Sequence, residues 1–185
     1  MNDEADRLLD AIARLFVPAG RDAIQSILVV GTGSSAAVCR GLLSLFPGAR
    51  LTAIDPDREA LADLVAATLA GAPSEDALRL QTVTSVLIDL PDHAPGPYGL
   101  MIVRHPVITA SRAAWGAALR ACVHELGEGS TLIVTTESLP DAAFVDALMG
   151  SLSLVMLPGS PYTSVPVALT GEDRYILVYR HRPDN

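Results

Sequence analysis

Along the chain, stretches whose apolar residues recur every three or four positions alternate with short runs that are apolar throughout. This is the pattern of a mostly parallel sheet covered by helices on both faces. Ala5, Leu8, Leu9, Ile12 and Leu15 predict a first helix, which Pro18 and Gly20 end. Ser26-Ile27-Leu28-Val29-Val30 reads as a central strand, apolar on both faces, that runs into a glycine turn. A helix over Ser34 to Phe46, with Ala37, Leu42, Leu45 and Phe46 inward, is broken at Pro47-Gly48, and Arg50 to Ile54 forms the second strand. Asp55-Pro56-Asp57 closes that strand, and Leu61, Leu64, Val65 and Leu69 mark the buried side of a helix from Arg58 to Ala70.

A third strand lies between Leu78 and Ile88, and a Pro/Gly-rich loop from Pro91 to Gly99 leads into a fourth, Leu100 to Val103, which stops at Arg104-His105-Pro106. From Ser111 to Leu126 the stripe Trp115, Leu119, Cys122, Leu126 has the spacing of one packed helix face, which reads Trp115 as core. Gly127-Glu128-Gly129 is read as the stop of that helix and Thr131 to Thr135 as strand five. Ser138 and Asp141 have the spacing of a capping box for a helix carrying Phe144, Val145, Leu148 and Met149. Leu152 to Leu157, Ser164 to Leu169 and Tyr175 to Arg180 are then strand-like with no room for helices between them, so at least one must pair antiparallel.

Composition narrows the chemistry. All 13 basic residues are Arg and Lys is absent, which excludes a Schiff-base lysine, a pyridoxal-phosphate anchor and a Walker A loop. With 21 acidic residues the formal charge is −8, which opposes the counterion release behind most nucleic-acid affinity, so a small or basic partner is expected and nucleic acid is not. No apolar run approaches the roughly 18 residues of a membrane span, and the acidic start, Met1 to Arg7, is unlike a secretory signal. A cytoplasmic protein with no membrane partner is the expectation. Cys39 and Cys122 lie in helical apolar stretches without the paired spacing of a metal site, which fits buried thiols in a reducing compartment. His93, His124 and His181 are too scattered to hold a metal, and none is expected.

The most informative string is Val29-Val30-Gly31-Thr32-Gly33-Ser34-Ser35-Ala36: a strand, a glycine turn and a helix start. Glycine lets a ligand approach the backbone, and the helix start offers unpaired N–H groups. Asp55 ends the next strand 55 − 31 = 24 residues after Gly31, close to the spacing at which an acid meets a ribose. Gly31-x-Gly33-x-x-Ala36 also matches a dinucleotide fingerprint with Ala in third place, so an NAD(P)-binding oxidoreductase-like domain is one reading. The C-terminal strands, with their antiparallel partner, favour another.

From Ile24 to Arg180 the chain resembles the class I S-adenosylmethionine-dependent methyltransferases. Ile27 to Gly33 looks like the first motif of that family and Phe46 to Asp55 like the run into its acidic second motif. Tyr98 to Val103 and Leu126 to Val134 match the start of the fourth strand and the passage into the fifth. The resemblance implies a single Rossmann-like three-layer α/β domain over residues 1–185, its mostly parallel seven-stranded sheet having an antiparallel C-terminal strand. Residues 1–20 would form an N-terminal helix, 24–150 the nucleoside-binding core and 151–185 the C-terminal strands. It further implies S-adenosylmethionine as cofactor, with Gly31, Thr32, Gly33 and Ser35 at the turn, Asp55 and Pro56 at the ribose, and Ser85 and Val86 at the adenine. Three positions depart from the family. Ser35 replaces its usual third glycine, Thr84, Ser85 and Val86 stand where an acid normally faces the adenine, and Gly99 replaces an aspartate before strand four.

Arg104 and His105 fall where the crevice of such a sheet opens. His105 is the candidate base for a hydroxyl or amine acceptor, and Arg104 a clamp for a carboxylate or phosphate on the substrate. Tyr162, in the proline-rich segment Pro158 to Pro166, is a candidate for the acceptor pocket. Methyl transfer to a small molecule is the expected activity; the alternatives are the oxidoreductase-like domain and a non-catalytic protein of the same fold. The first helix would either cover the crevice or pair with another subunit in a homo-oligomer.

Overall fold

The computed structural model describes residues 3–16, 18–33, 35–70, 74–152, 154–157, 162–163 and 174–181. Two helices, α1 (Asp3–Leu15) and α2 (Pro18–Arg21), precede β1 (Ser26–Val30), α3 (Ala36–Leu45), β2 (Arg50–Asp55), α4 (Arg58–Leu69), α5 (Ser74–Arg79) and β3 (Leu80–Thr84). A 3-10 turn at Leu87–Asp89 and a single-turn helix α6 (Leu90–His93) lead to β4 (Tyr98–Val103), and a second 3-10 turn, Ile108–Ala110, to α7 (Arg112–His124). The chain continues through β5 (Leu126–Thr136), α8 (Leu139–Ser151), β6 (Leu154–Met156), β7 (Tyr162–Thr163) and β8 (Tyr175–His181).

The sheet runs β3-β2-β1-β4-β5-β8-β6, with the two-residue β7 pairing beside β8. From β3 to β5 every pairing is parallel, whereas β8 runs against β5, β6 and β7. The expected seven-stranded path with an antiparallel C-terminal strand is therefore present, and β7 adds a short eighth strand. Of the expected C-terminal runs, Ser164 to Leu169 lies outside the described residues.

Side chains alternate across the strands. Leu28, Val30, Met101, Val103, Leu132 and Val134 face α7 and α8, where Leu119, Cys122, Val145 and Met149 meet them. Ile27, Val29, Leu100, Ile102, Ile133 and Val178 face the other way, onto Leu8, Ile12, Leu42, Leu61 and Leu64 of α1, α3 and α4. The central strands are apolar throughout because each lies between two helical layers.

Helix α1 packs on α3: Ala5, Leu8 and Ile12 are fully buried. The approach is close at Gly41, where a Cβ would come within 2.2 Å of Leu9 Cδ1. Within the chain this helix seals one apolar layer. Two boundaries also differ from expectation. Helix α7 stops at His124, and Leu126 to Gly129, read as helix end and terminator, belong to β5. Gly129 has φ +70° there, and the β4–β5 register slips between Tyr98 and Leu100, so these glycines make a bulge. Ser138 caps α8 as expected, its Oγ accepting from the Asp141 N–H at 3.2 Å, but Asp141 Oδ2 accepts from the Ser138 hydroxyl at 2.8 Å and not from its backbone N–H.

Candidate functional site

The glycine turn follows β1 because the chain there must pass beneath the end of β4. Gly31 has φ +72°, and a Cβ on it would lie 2.6 Å from the Arg104 carbonyl oxygen, so only glycine fits. Its N–H donates to Ile54 O at 3.1 Å, and the Arg104 N–H donates to Val30 O at 2.9 Å, which ties the ends of β1, β2 and β4 together. Gly33, also in the left-handed region, donates its N–H to Asp55 Oδ2 at 2.9 Å, while Asp55 Oδ1 accepts from the Asp57 N–H at 3.0 Å. An ionised carboxylate has about four acceptor sites. Two are used within the protein, and the others border the space above the sheet.

That space is a cavity of about 380 Å³ at the C-terminal ends of β1, β2 and β4, the end at which parallel sheets bind ligands. Gly31, Asp55, Pro56, Ser85, Arg104 and His105 line it, with Val86 on the β3 side. Most of the remaining wall is apolar: Leu87, Ile88, Trp115 and Ala118 form a slot beside the acid. Val86 and Ile88 are 48% and 50% exposed, unusually open for such side chains. Ser85 anchors this side through its N–H to Asp55 O at 3.2 Å, and its hydroxyl donates to Val86 O.

Arg104 is buried, 6% exposed. It follows β4 directly, lines the cavity, and its positive charge is felt at the Cys39 thiol of α3. Burial nevertheless pushes that thiol up to about 12, and Cys122 higher still, so neither is a reactive thiolate. His105 has φ +51°, a left-handed conformation before a proline, and its N–H reaches Thr135 Oγ1 at 3.4 Å. Histidine accepts that region more readily than most residues, and the resulting kink turns the chain back at the cavity wall.

The sequence-derived residues thus separate into groups. Gly31, Asp55, Pro56, Ser85, Val86, Arg104 and His105 surround one cavity. Thr32 is buried with its hydroxyl unpartnered among the described residues, and Thr32, Gly33 and Ser35 are not on the cavity wall. Within the turn, Ser35 donates its N–H to Thr32 O at 3.2 Å. Tyr162 enters β7, but its side chain lies outside the described residues. Trp115 corrects the sequence reading: it is half-buried and lines the cavity while touching the core. Leu87, Ile88 and Thr135 were not singled out from sequence, because short apolar runs and a threonine at a strand end occur equally often without a ligand. Among the described residues no cluster of side chains could hold a metal ion, and no helix is long and apolar enough to cross a membrane.

No protein-family profile matches the sequence, and no curated protein does. Solved structures do match its fold. Magnesium protoporphyrin IX methyltransferase from Synechocystis, with bound S-adenosylmethionine, superposes with a TM-score of 0.71 at 12% identity over 97% of this chain and 80% of that one. An S-adenosylmethionine-dependent O-methyltransferase from Thermotoga maritima gives 0.66 at 14% identity, over 97% and 66%. An rRNA methylase from Streptococcus thermophilus gives 0.65 at 12% identity, over 96% and 95%. A dinucleotide-binding sheet of order 3-2-1-4-5-6 is parallel throughout, whereas here antiparallel β8 stands between β5 and β6. The chain has the Rossmann-like fold of the class I S-adenosylmethionine-dependent methyltransferases.

Proposed function

We propose that the cavity binds S-adenosylmethionine and that the protein transfers its methyl group to a small-molecule acceptor. The observation that carries this reading is the Gly33–Asp55 hydrogen bond, which locks the glycine turn and the acid together at the rim of a cavity otherwise mostly apolar. The residues present fit the cofactor. Asp55 has acceptor sites left for two ribose hydroxyls, and the exposed faces of Val86 and Ile88, with Trp115, make a slot for a purine. Ser85 gives that slot its polar edge in place of the family's acid, and Pro56 stiffens the chain after Asp55. Gly31, Thr32, Gly33 and Ser35 shape the turn beside the methionine portion. Arg104, expected from sequence to clamp the acceptor, lines the cavity while its charge reaches Cys39 of α3, and we assign it instead to the cofactor's carboxylate.

When bound, the cofactor supplies a methyl carbon on a sulfonium, which a nucleophile displaces in line. The protein's part is alignment and proton removal. His105, held by its backbone kink at the cavity wall, accepts the proton of a hydroxyl or amine acceptor. Tyr162 stands in the segment assigned to the acceptor side. A charge of −8 with no lysine supports a small acceptor over a nucleic acid.

Calorimetric titration with S-adenosylhomocysteine tests the reading. Saturable binding is expected; a thermal shift with NADH and none with S-adenosylhomocysteine would replace it by the oxidoreductase reading, and no response to either by a non-catalytic role. Salt-sensitive binding to a random oligonucleotide would overturn the small-acceptor assignment.

A further inference from the structure

A second cavity, of about 240 Å³, lies at the opposite end of the sheet, where β1, β2, β3 and β4 begin. It exists because the β3–β4 connection contains only a 3-10 turn and the one-turn α6, leaving the sheet face at the start of β2 and β3 without a helix over it. Thr52 and Gln81 are register partners on that face, and Arg50 is two residues before Thr52 on the same side of β2. The floor is already satisfied: Tyr98 Oη donates to Ala94 O at 3.1 Å and meets the Thr52 hydroxyl, and Ser26 Oγ donates to Pro97 O at 2.9 Å. The rim is not. Among the described residues, the side chains of Arg50, Gln81 and His93, from β2, β3 and α6, make no hydrogen bond or ion pair, and all three border this cavity.

No carboxylate lines it. The nearest acid in this network, Glu125, is turned to the Gly96 N–H, although its charge still reaches Tyr98. In a chain of net charge −8, a guanidinium, an imidazole and a carboxamide thus converge on one concavity without an acid among them. A guanidinium brings five N–H donors in a planar fork suited to tetrahedral oxyanions. We infer that this notch is a binding site for a phosphate group, free or carried by a small metabolite, with Arg50 as its anchor and Gln81 and His93 as secondary donors. The strands between are about 17–20 Å long, so this site is separate from the cavity beside Asp55.

The test is calorimetric titration of the full chain with inorganic phosphate and with glycerol 1-phosphate at constant ionic strength, repeated on Arg50→Gln, His93→Ala and Arg120→Gln. Arg120 is an exposed arginine on α7 that does not line the notch, so its variant controls for net charge. Saturable binding with Kd near or below about 1 mM is expected, weakened at least about tenfold by Arg50→Gln, less by His93→Ala and not by Arg120→Gln. Tighter binding of the ester would identify a metabolite, and equal binding free phosphate. Absence of saturable binding, or equal effects of Arg50→Gln and Arg120→Gln, would overturn the inference. Titration of the same variants with S-adenosylhomocysteine keeps this result separate from the fate of the main cavity.

Discussion

Replacing Asp55 with alanine removes two duties at once, and the structure gives a magnitude for each. Within the protein, the carboxylate accepts from Gly33 and Asp57. Leaving both N–H groups without an acceptor costs roughly 2–4 kcal/mol of folding stability, at about 1–3 kcal/mol for each unsatisfied donor, with part recovered by hydration of the half-buried turn. Toward the cofactor, two ribose hydroxyls lose a charged acceptor. At the low end of about 1.5 kcal/mol each, that is roughly a hundredfold in Kd, and rehydration of the freed hydroxyls reduces the expectation to at least about tenfold. Asp55→Asn keeps size and one oxygen, but its NH2 must face either Gly33 or Asp57, so it should fall between wild type and alanine in both measurements. Asp57→Ala is the control. Asp57 caps α4 by accepting from Glu59 and Ala60, and its loss should cost about 1 kcal/mol with cofactor affinity unchanged. The assays are urea unfolding and calorimetry with S-adenosylhomocysteine on all four proteins. Unchanged affinity in Asp55→Ala, or an equal loss in Asp57→Ala, would refute the ribose assignment.

Three further outcomes are expected. Trp115→Ala should weaken S-adenosylhomocysteine binding about tenfold while lowering urea stability by less than the roughly 3–5 kcal/mol of a fully buried tryptophan; the reverse pattern would return Trp115 to the core. Gly31→Ala should unfold at markedly lower urea, by about 2–4 kcal/mol, because φ +72° and the Arg104 carbonyl both oppose a Cβ. The thiols make stability fall at alkaline pH: Cys39 is raised by burial from 9.0 to about 12 and Cys122 is raised further. The native chain keeps protons that the unfolded chain releases, so their contribution is whole below the unfolded value and lost as pH rises past it, by about 1.4 kcal/mol per pH unit per thiol. Urea midpoints near pH 8 and about pH 10.5 should differ less in Cys39→Ala than in wild type.

What could be read from the residues alone depended on whether local chemistry decides the matter. The alternation of β1, β2, β4 and β5 and the joining of Gly31 to Asp55 were legible because buried parallel strands are apolar throughout and a tight turn under another backbone needs glycine. Trp115 was not. Its spacing places it on the inward stripe of α7, but the sequence does not say that the stripe runs past the edge of the core to the cavity. Gly127 and Gly129 end a helix or bulge a strand with equal ease, and only pairing with β4 chooses between them. The open notch at the start of β2 and β3 was hidden for the same reason, since it follows from the lack of a covering helix over β3.

The place of β8 bears on how the chain must fold. It joins Thr131–Thr136 of β5 on one side and Leu154–Met156 of β6 on the other, so among the described residues β6 pairs into the sheet only through a strand made after it. During synthesis the parallel half, β1 to β5, can assemble while α8 and β6 wait. Until Tyr175 to His181 emerge, β5 presents a bare apolar edge of the kind on which chains stick to one another. A stop codon ahead of Tyr175 would therefore remove three strands from the sheet instead of one, since β7 too pairs with β8, and its product should be lost to aggregation rather than survive as a shortened binding protein.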